Sequence, residues 1–280
     1  MNQQAGNVIG MIAGEGDLPM AVGSAVEASG GNLFVIAFEG ITSDGIEIPG
    51  RKVKWLPFGQ LQQVLDSLRD GGVRELVLSG RIGITSIFDP SMLDGSLMKL
   101  LASLKDHRGN TILAGIAQVF TDEGFRVLSN LEAAPDLTTP VGCVAGREPG
   151  SDQIEDIRFG WGVARELARL DVGQTVVVKG KSVVAVEAME GTDETILRAG
   201  KIAPGGLVAV KVSSPDHDFR FDVPTVGSQT INSLSKSGGG ILAVEAGRSF
   251  LLDREELSKI CDEAGVSVVG VDAESLNLDA

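Results

Sequence analysis

The chain has 280 residues, of which 43% are hydrophobic, and a formal net charge of −14. A chain longer than about 200 residues favours two domains, each with its own core. No apolar run approaches the ~20 residues that a membrane-spanning helix needs, and the N-terminus lacks the basic segment of a signal sequence, so a cytoplasmic protein is expected. The acidic balance argues against nucleic acid or an anionic membrane as an electrostatic partner.

Two cysteines, Cys143 and Cys261, lie far apart in the chain. Their spacing matches neither a disulfide framework nor a zinc site. We therefore expect both of them to be small buried residues.

The N-terminal half alternates apolar runs with amphipathic segments. Residues 8–13 predict a strand, 20–29 a helix and 33–38 a second strand, which together form a βαβ unit. Further helices are predicted over 61–69, 97–105 and 112–123, and further strands over 75–79 and 125–128. This alternation predicts an α/β fold with a Rossmann-like parallel sheet in a domain that covers residues 1–144.

A glycine pair follows the first predicted strand, in Gly14-Glu15-Gly16. Backbone amides at the carboxyl end of a strand and ahead of a helix can hold a phosphate. The dinucleotide fingerprint is incomplete, because its third glycine would fall at Pro19. Glu39, after the second strand, stands where such folds place an acid on a ribose hydroxyl, and a solvent-facing acid is an equally good interpretation.

Residues 137–152 are rich in Pro, Gly and Thr with little periodicity, which indicates a domain connection and a boundary at 144/145. The second domain, 145–280, shows a distinct α+β pattern. Its predicted helices cover 151–170, 192–199, 227–237 and 254–264, and its predicted strands 174–178, 182–188, 207–212 and 266–271. The runs 241–246 and 249–252 predict a hairpin that turns at Gly247-Arg248.

Carboxylates concentrate in loops of this second domain. They are Glu187, Glu190, Asp193, Glu194, Asp216, Asp218 and Asp222. Oxygen ligands with hardly any imidazole and no thiol nearby suit Mg²⁺ or Mn²⁺ better than zinc, and a magnesium site usually acts on phosphate. A solvated loop acid is the simpler interpretation for any one of them. Asp222 is the exception, because it lies inside the apolar run 219–224 and needs a polar cleft or a partner.

Five sequence blocks resemble the LpxI family, in family order and over nearly the whole chain. They are Ala13-Gly14-Glu15-Gly16-Asp17-Leu18-Pro19, Leu170-Asp171-Val172-Gly173-Gln174, residues 186–193, Asp222-Val223-Pro224-Thr225-Val226-Gly227 and Val244-Glu245-Ala246-Gly247. The resemblance implies hydrolysis of the pyrophosphate of UDP-2,3-diacylglucosamine, with a divalent cation, to UMP and 2,3-diacylglucosamine 1-phosphate for lipid A synthesis. It also implies a Rossmann-like N-terminal domain, a distinct C-terminal domain, a site between them and a homodimer.

The family's catalytic aspartate corresponds to Asp222. We expect Mg²⁺, or Mn²⁺, on Asp222 and one or two of Glu187, Glu190 and Asp193, where it would bridge phosphate oxygens and activate the attacking water. Lys211, which ends an apolar strand, is the candidate for neutralising charge on the phosphates, and a solvated surface lysine is the alternative.

Other residues are assigned as contacts. Thr225, with the amides near Gly227, opens a helix and is a candidate for holding a phosphoryl oxygen. The Gly14-Glu15-Gly16 turn is expected to contact the UDP end of the substrate. Gln174 and Thr192 match family blocks and are assigned only as contacts of the bound substrate.

Several positions depart from the family pattern. Gly109-Asn110-Thr111 stands where relatives usually carry Gly-Asp-Asp, and Ser79-Gly80-Arg81 leads into Ile84-Thr85 where they carry Arg-Pro. Ser214-Pro215 replaces a usual Lys-Pro, and His217 a usual Gln. These changes bear on the substrate contacts and on the number of metal ions.

The apolar stretch 82–104, which includes Met92 and Met98, is a candidate groove for acyl chains, with core packing or a dimer contact as the alternative. Transient association with the inner-membrane surface is expected from the lipid substrate, through apolar contact. Two other classes stay open: a dinucleotide-dependent oxidoreductase, and a non-catalytic UDP-lipid binding protein that kept the fold.

Overall fold

The computed structural model describes residues 8–82, 90–215, 217–221 and 223–278. These residues divide into two compact units, the first made of 8–136 with 218–221 and the second of 137–217 with the residues from Val223 onward. The change of unit falls between Asp136 and Leu137, ahead of the 144/145 boundary expected from the sequence. Asp216, Asp222 and the residues 83–89 of the predicted acyl-chain stretch lie outside the described residues.

The described part of the first unit contains a five-stranded parallel sheet in the order β3-β2-β1-β4-β5. Its strands are β1 (Val8–Ala13), β2 (Asn32–Phe38), β3 (Lys52–Leu56), β4 (Glu75–Ser79) and β5 (Arg126–Leu128). The strand order reverses between β1 and β4, so the carboxyl ends of these two strands form the topological switch point at which such sheets bind ligands. This topology confirms the predicted Rossmann-like sheet.

Helices accompany the strands of the first unit. They are α1 (Leu18–Ala28), α2 (Leu61–Asp70), α3 (Gly95–Ser103), α4 (Gly109–Asp122) and the short α5 (Asn130–Ala133). The amphipathic helix α2 buries Leu61, Val64, Leu65 and Leu68 against the sheet. Burial of an apolar side chain of this size contributes about 1.5–3 kcal/mol, so these side chains fix the helix on the sheet.

The second unit is built on a six-stranded mixed sheet, among the described residues, in the order β6-β13-β11-β9-β7-β8. Its strands are β6 (Gly142–Ala145), β7 (Thr175–Lys179), β8 (Ser182–Val186), β9 (Leu207–Lys211), β11 (Gly240–Glu245) and β13 (Val266–Val271). β9, β11 and β13 run parallel, and β6, β7 and β8 pair antiparallel to their neighbours. A separate short parallel pair joins β10 (Thr225–Val226) to β12 (Phe250–Leu251).

Helices cover both faces of this mixed sheet. They are α6 (Ser151–Arg169), α7 (Thr192–Ile202), α8 (Ser228–Lys236) and α9 (Arg254–Ala264). Trp161 and Ile157 of α6 belong to the core on one face, whereas Ile196 of α7, Ile231 of α8 and Leu257 of α9 belong to the core on the other. The unit is therefore a three-layer arrangement, in which the parallel central strands read as continuous apolar runs.

Two expectations for this region were wrong. β11 and β12 do not form a hairpin: β11 pairs with β9 and β13, and β12 pairs with β10 in the separate sheet. The predicted linker 137–152 also contains an ordered edge strand, β6, which pairs with β13. The sequence shows an apolar run, a glycine turn and a second apolar run, which is the pattern of a hairpin. It does not show that both sides of β11 are already paired, with β9 and with β13.

Both cysteines are free thiols; Cys261 is buried as predicted, whereas Cys143 is only half-buried, so the expectation of burial was wrong for Cys143. Cys261 is fully buried, and burial raises the pKa of its thiol to about 11, so it stays protonated at neutral pH. Within the described ranges, no helix combines the length and the apolar composition needed to cross a membrane.

Candidate functional site

A hydrogen-bonded cluster occupies the carboxyl end of β9 in the second unit. Lys211, the last residue of β9, donates from Nζ to Thr192 Oγ1 at 3.0 Å. Thr175, which pairs with Lys211 across the sheet, has its hydroxyl 3.2 Å from the same Thr192 oxygen. The Thr192 hydroxyl in turn donates to Glu187 Oε1 at 2.9 Å. One hydroxyl therefore connects a cation, a second hydroxyl and a carboxylate that come from four separate elements or loops.

Glu187 is held in place from two sides. Its Oε2 accepts from the Gln174 amide at 3.3 Å, and its own amide donates to Thr175 O at 2.9 Å. The loop before β7 lies close to Glu187, since a Cβ on Gly173 would come within 2.1 Å of Glu187 O. Only glycine fits at that approach, which explains why this position in the block Leu170 to Gln174 lacks a side chain.

Thr192 is also fixed by the start of its helix. Gly191 precedes α7 with a φ of +84°, a conformation that glycine adopts without strain. Asp193 and Glu194 then lie in the first turn of α7, where the helix dipole favours acids. The sequence GTDE thus sets the direction of the helix and delivers the Thr192 hydroxyl to Lys211.

Four of the predicted site residues, Lys211, Thr192, Glu187 and Gln174, are brought together here. Lys211 forms no ion pair within the part of the chain that the structure describes, and it is connected to Glu187 through the Thr192 hydroxyl. The Lys211 ammonium group is half-buried and has three N–H bonds. One of them donates to Thr192, so the other two can donate to an anion. The cluster can therefore bind and orient a phosphate group.

A second cluster lies on the neighbouring strand. Glu245 ends β11, one residue beyond the position opposite Lys211, and is 5% exposed. Its Oε2 accepts from the amide of Ser213 at 2.8 Å and from the Ser213 hydroxyl at 2.5 Å, and its Oε1 accepts from Arg165 at 3.0 Å. Arg248 lies 3.4 Å from Oε1 and donates to Ser214 O at 3.0 Å.

This buried carboxylate ties the segment after β9 to the centre of the sheet. Two guanidinium groups share one carboxylate, so the cluster carries net positive charge beside Lys211. Ser213 and Ser214 begin the loop that continues towards His217, and both are held in place by the Glu245 cluster.

The predicted metal ligands differ in whether their carboxylate oxygens already have partners in the protein. Glu190 is paired with Arg198 at 2.5 Å and accepts from the Ala188 amide at 3.1 Å. Hydrogen bonds from its own backbone and from Arg198 hold the pKa of Glu190 below its ordinary value. Asp193 Oδ1, by contrast, is buried and has no hydrogen-bond partner among the described residues.

The described ligands do not assemble a metal site by themselves. No group of three or more His, Cys, Asp or Glu side chains suited to a metal ion occurs in the described ranges. Both oxygens of Glu187 already accept protein hydrogen bonds, and Glu190 is engaged by Arg198. Among the predicted ligands that the structure describes, Asp193 differs in having a buried oxygen without a hydrogen-bond partner, whereas Asp222 lies outside the described residues.

The Gly14-Glu15-Gly16 turn lies at the switch point of the first unit, after β1. The Gly14 amide donates to Ser79 O at 2.8 Å and the Glu15 amide to Arg81 O at 2.7 Å, so both are used inside the protein. A Cβ on Gly14 would come within 2.4 Å of Arg81 O, and this close approach requires glycine. Gly16, with a φ of +96°, turns the chain into α1.

Thr225 lies on β10, opposite Phe250, and is half-buried. No hydrogen bond joins Thr225 to the Lys211 cluster in the described part of the second unit. The helix that follows, α8, begins at Ser228, as the sequence predicts.

Sequence reasoning missed Thr175 and the partners of Glu245 as site residues. A signal for Glu245 was present, because an acid directly after the apolar run 241–244 must find partners when the strand is buried. No local pattern marks Thr175, Arg165 or Ser213, whose roles depend on sheet register and on residues far away in the chain.

Comparison with known proteins identifies the family of this chain. The model of the LpxI N-terminal domain matches residues 8–137, and that of the LpxI C-terminal domain matches residues 140–269. A relative from Caulobacter vibrioides, the UDP-2,3-diacylglucosamine pyrophosphatase LpxI, is 31% identical over 277 residues, which cover 94% of this chain and 97% of the relative. The chain belongs to the LpxI family.

Proposed function

We propose that this chain hydrolyses the pyrophosphate bond of UDP-2,3-diacylglucosamine to UMP and 2,3-diacylglucosamine 1-phosphate, in lipid A biosynthesis. That the chain is a hydrolase follows from its membership of the LpxI family, and the relative from Caulobacter vibrioides bears the name of this activity. The observation that supports it best is the Lys211 ammonium group, fixed by Thr192 beside Glu187 at a strand end.

Hydrolysis of a pyrophosphate needs charge neutralisation. Water attacks one phosphorus, the bond from that phosphorus to the bridging oxygen breaks, and two phosphate monoesters result. Negative charge grows on the departing oxygen, and a preorganised cation can stabilise it. Lys211 is suited to this role because Thr192, whose hydroxyl also contacts Thr175 and Glu187, holds the ammonium group before substrate binds, so little reorganisation is needed.

Charge at the site also favours an anionic substrate. Arg165 and Arg248 both lie against Glu245, on the strand next to Lys211, so these four side chains together carry a net positive charge. In a chain with a net charge of −14, such a local excess is what an anionic ligand requires. Glu187 and Glu245 act as positioning groups, because their oxygens accept hydrogen bonds from the protein.

A divalent cation is part of the proposal. Asp222 and Asp193 are the residues we expect to hold Mg²⁺ or Mn²⁺, and the unpaired buried oxygen of Asp193 supports this choice. Such an ion, when bound, supplies charge neutralisation on phosphate oxygens. Oxygen donors with no cysteine or histidine in this group suit these two metals better than zinc.

The lipid substrate requires an apolar contact as well. Met92 and Met98 are 41% and 45% exposed, which supports a lipid-facing role for the part of the 82–104 stretch that is described. We include transient association with the inner-membrane surface, and a homodimer, as further elements of the proposed function. The net negative charge requires that membrane contact be apolar rather than electrostatic.

The experiment that tests the proposal is UMP release from UDP-2,3-diacylglucosamine, with Mg²⁺, with Mn²⁺ and with chelator. Wild type, Asp222→Asn and Lys211→Met are compared with Lys201→Met, which removes an exposed lysine in the last turn of α7. We expect metal-dependent turnover that falls at least ~100-fold in the first two variants and stays within about twofold in Lys201→Met. Folded wild type that binds the substrate without releasing UMP would instead identify a non-catalytic UDP-lipid binding protein.

A further inference from the structure

Residues 218–221, which directly precede Asp222, belong to the first unit, although the chain on either side belongs to the second. This short segment is attached through Asn130, the first residue of α5. The Asn130 amide donates to Phe219 O at 3.0 Å, and its Nδ2 lies 3.5 Å from the same oxygen. Nδ2 also donates to Leu78 O of β4 at 2.8 Å. One asparagine thus fastens the segment to the carboxyl end of a central strand.

Asn130 is itself rigidly held. It is fully buried, and Ser129 and Glu132 form a reciprocal capping box around the start of α5. The box fixes the backbone of Asn130, so that its amide points at Phe219 before any substrate binds. In addition, the Ser79 hydroxyl, at the end of β4, is buried without a partner among the described residues.

Stability alone does not account for this asparagine. Asn130 Oδ1 is buried and has no hydrogen-bond partner in the described part of the chain. A buried acceptor without a partner lowers stability, and this cost offsets part of what the Nδ2 hydrogen bond to Leu78 O contributes. Asparagine is nevertheless suited to the place, because its Nδ2 can bridge the carbonyls of Leu78 and Phe219.

The attached segment is a compact turn. Asp218 accepts from the amide of Arg220 at 3.1 Å and from its guanidinium at 2.6 Å, and the Phe221 amide donates to Asp218 O at 3.2 Å. Phe221 packs against the core of the first unit. The residues of the turn are therefore joined to one another by hydrogen bonds, so an anchor at Phe219 also restrains Phe221.

We propose that Asn130 is a positioning residue for the hydrolysis: by anchoring Phe219 to Leu78 it fixes the chain that leads into Asp222. The proposal rests on the proposed function, in which Asp222 is catalytic. Asn130 acts through the backbone of the turn and does not touch the substrate. A shift of about 1 Å in a catalytic group can cost up to ~100-fold in rate, so an anchor of this kind affects kcat more than binding.

Two variants remove the hydrogen bonds of Asn130 in two steps. Asn130→Ala removes both Nδ2 contacts and keeps the backbone donor. Asn130→Pro also removes the backbone donor, and proline is well tolerated at the first position of a helix, after the extended Ser129 with its ψ of 156°. The matched control is Val64→Ala, which weakens the core of the same unit away from the anchor.

Steady-state UMP release and hydrogen exchange are measured on each variant. We expect kcat to fall about tenfold in Asn130→Ala and further in Asn130→Pro, with KM within about threefold of wild type. Exchange in the peptide that contains residues 218–221 should be at least ~10-fold faster in both variants. Val64→Ala should lower the melting temperature by a similar amount but leave kcat within about twofold.

Three results would overturn the inference or its basis. An unchanged kcat in folded Asn130→Ala, while Asp222→Asn is inactive, removes the positioning role and leaves the proposed function intact. An equal loss of kcat in Val64→Ala shows that general destabilisation, and not the anchor, lowers turnover. Full turnover in Asp222→Asn refutes the proposed role of Asp222 and, with it, the reason for the anchor.

Discussion

The ammonium group of Lys211 donates a 3.0 Å hydrogen bond to the hydroxyl of Thr192, a residue in a different element of the second unit. Because Thr192 donates to Glu187, the position of the cation depends on a carboxylate that it does not pair with directly. These two hydrogen bonds, from Lys211 to Thr192 and from Thr192 to Glu187, form a relay in which the threonine is as important to the site as the two charged residues.

Replacement of Thr192 by valine should therefore lower activity without unfolding the protein. Valine has nearly the same shape but cannot accept from Lys211 or donate to Glu187, so we expect kcat to fall about tenfold or more, by ~1.4 kcal/mol in activation free energy. The matched control is Thr121→Val, which removes a hydroxyl that bonds only within α4, to Ala117 O at 2.9 Å. Equal activity of the two variants would contradict the relay.

Glu245 should be essential to the stability of the second unit. Glu245→Ala removes the buried acceptor of Ser213, Arg165 and Arg248; because both guanidinium groups are partly exposed and can be solvated, the cost is mainly that of the lost buried hydrogen bonds, about 1–3 kcal/mol. Urea unfolding measures the loss. Glu263→Ala, which removes an exposed acid on α9, should stay within about 0.5 kcal/mol, and a similar value for both would contradict the structural role of Glu245.

The two acids Asp193 and Glu190 should respond differently to metal titration. Asp193 offers a free buried oxygen, whereas Glu190 is paired with Arg198. We expect Asp193→Asn to raise the Mg²⁺ concentration for half-maximal activity at least ~10-fold, an effect of about 1.4 kcal/mol. Glu190→Gln should change it by less than about threefold, and the reverse order would exchange the two assignments.

Gly14 should not tolerate a side chain. A Cβ there would come within 2.4 Å of Arg81 O, so we expect Gly14→Ala to destabilise the first unit by about 1–3 kcal/mol. Gly45→Ala provides the comparison, because its Cβ would have as its nearest neighbour the Ser43 hydroxyl at 3.6 Å. Thermal unfolding of both variants tests whether the contact between the β1 and β4 loops is as close as the structure shows.

The thiol of Cys261 should make the free energy of unfolding depend on pH. Burial raises its pKa from 9.0 to about 11, so the folded state keeps the proton while the unfolded state releases it. The contribution of this thiol to the free energy of unfolding is therefore fully present below pH 9 and declines as pH rises from 9 towards 11. Cys261→Ala should flatten the fall in unfolding free energy over that range, measured by urea titration in a Cys143→Ser background.

Labelling at pH 8 offers a second measurement on the same residue. At a pKa of about 11, roughly one thiol in a thousand is ionised, so Cys261 should react with a thiol reagent only after unfolding. Rapid labelling of the native protein at Cys261, identified by mass spectrometry, would contradict its burial.

The order of helices and strands was largely predictable, since buried parallel strands read as apolar runs and amphipathic helices show their period. β3 was missed although its residues Lys52–Leu56 alternate charged and apolar side chains between Gly50 and Pro57, which is the pattern of an edge strand exposed on one face. The expected hairpin at Gly247-Arg248 was wrong, because strand partners are chosen by the whole sheet. Lys211, Thr192, Glu187 and Gln174 were each proposed from the sequence as site residues, and their roles stay predictions; that the four side chains or amides lie together came only from the structure.

The sequence by itself determined the two-domain α/β composition, the family and the residue types that phosphate chemistry needs, because these depend on local pattern and on recurring blocks. Tertiary structure alone decided that Thr192 links Lys211 to Glu187, that two arginines share Glu245 and that Asn130 holds Phe219. The physical reason is the same in each case. Each arrangement includes a hydrogen bond between distant residues, such as Lys211 to Thr192 or Arg165 to Glu245, which depends on sheet register and helix placement to within a fraction of an ångström, and no local pattern carries that information.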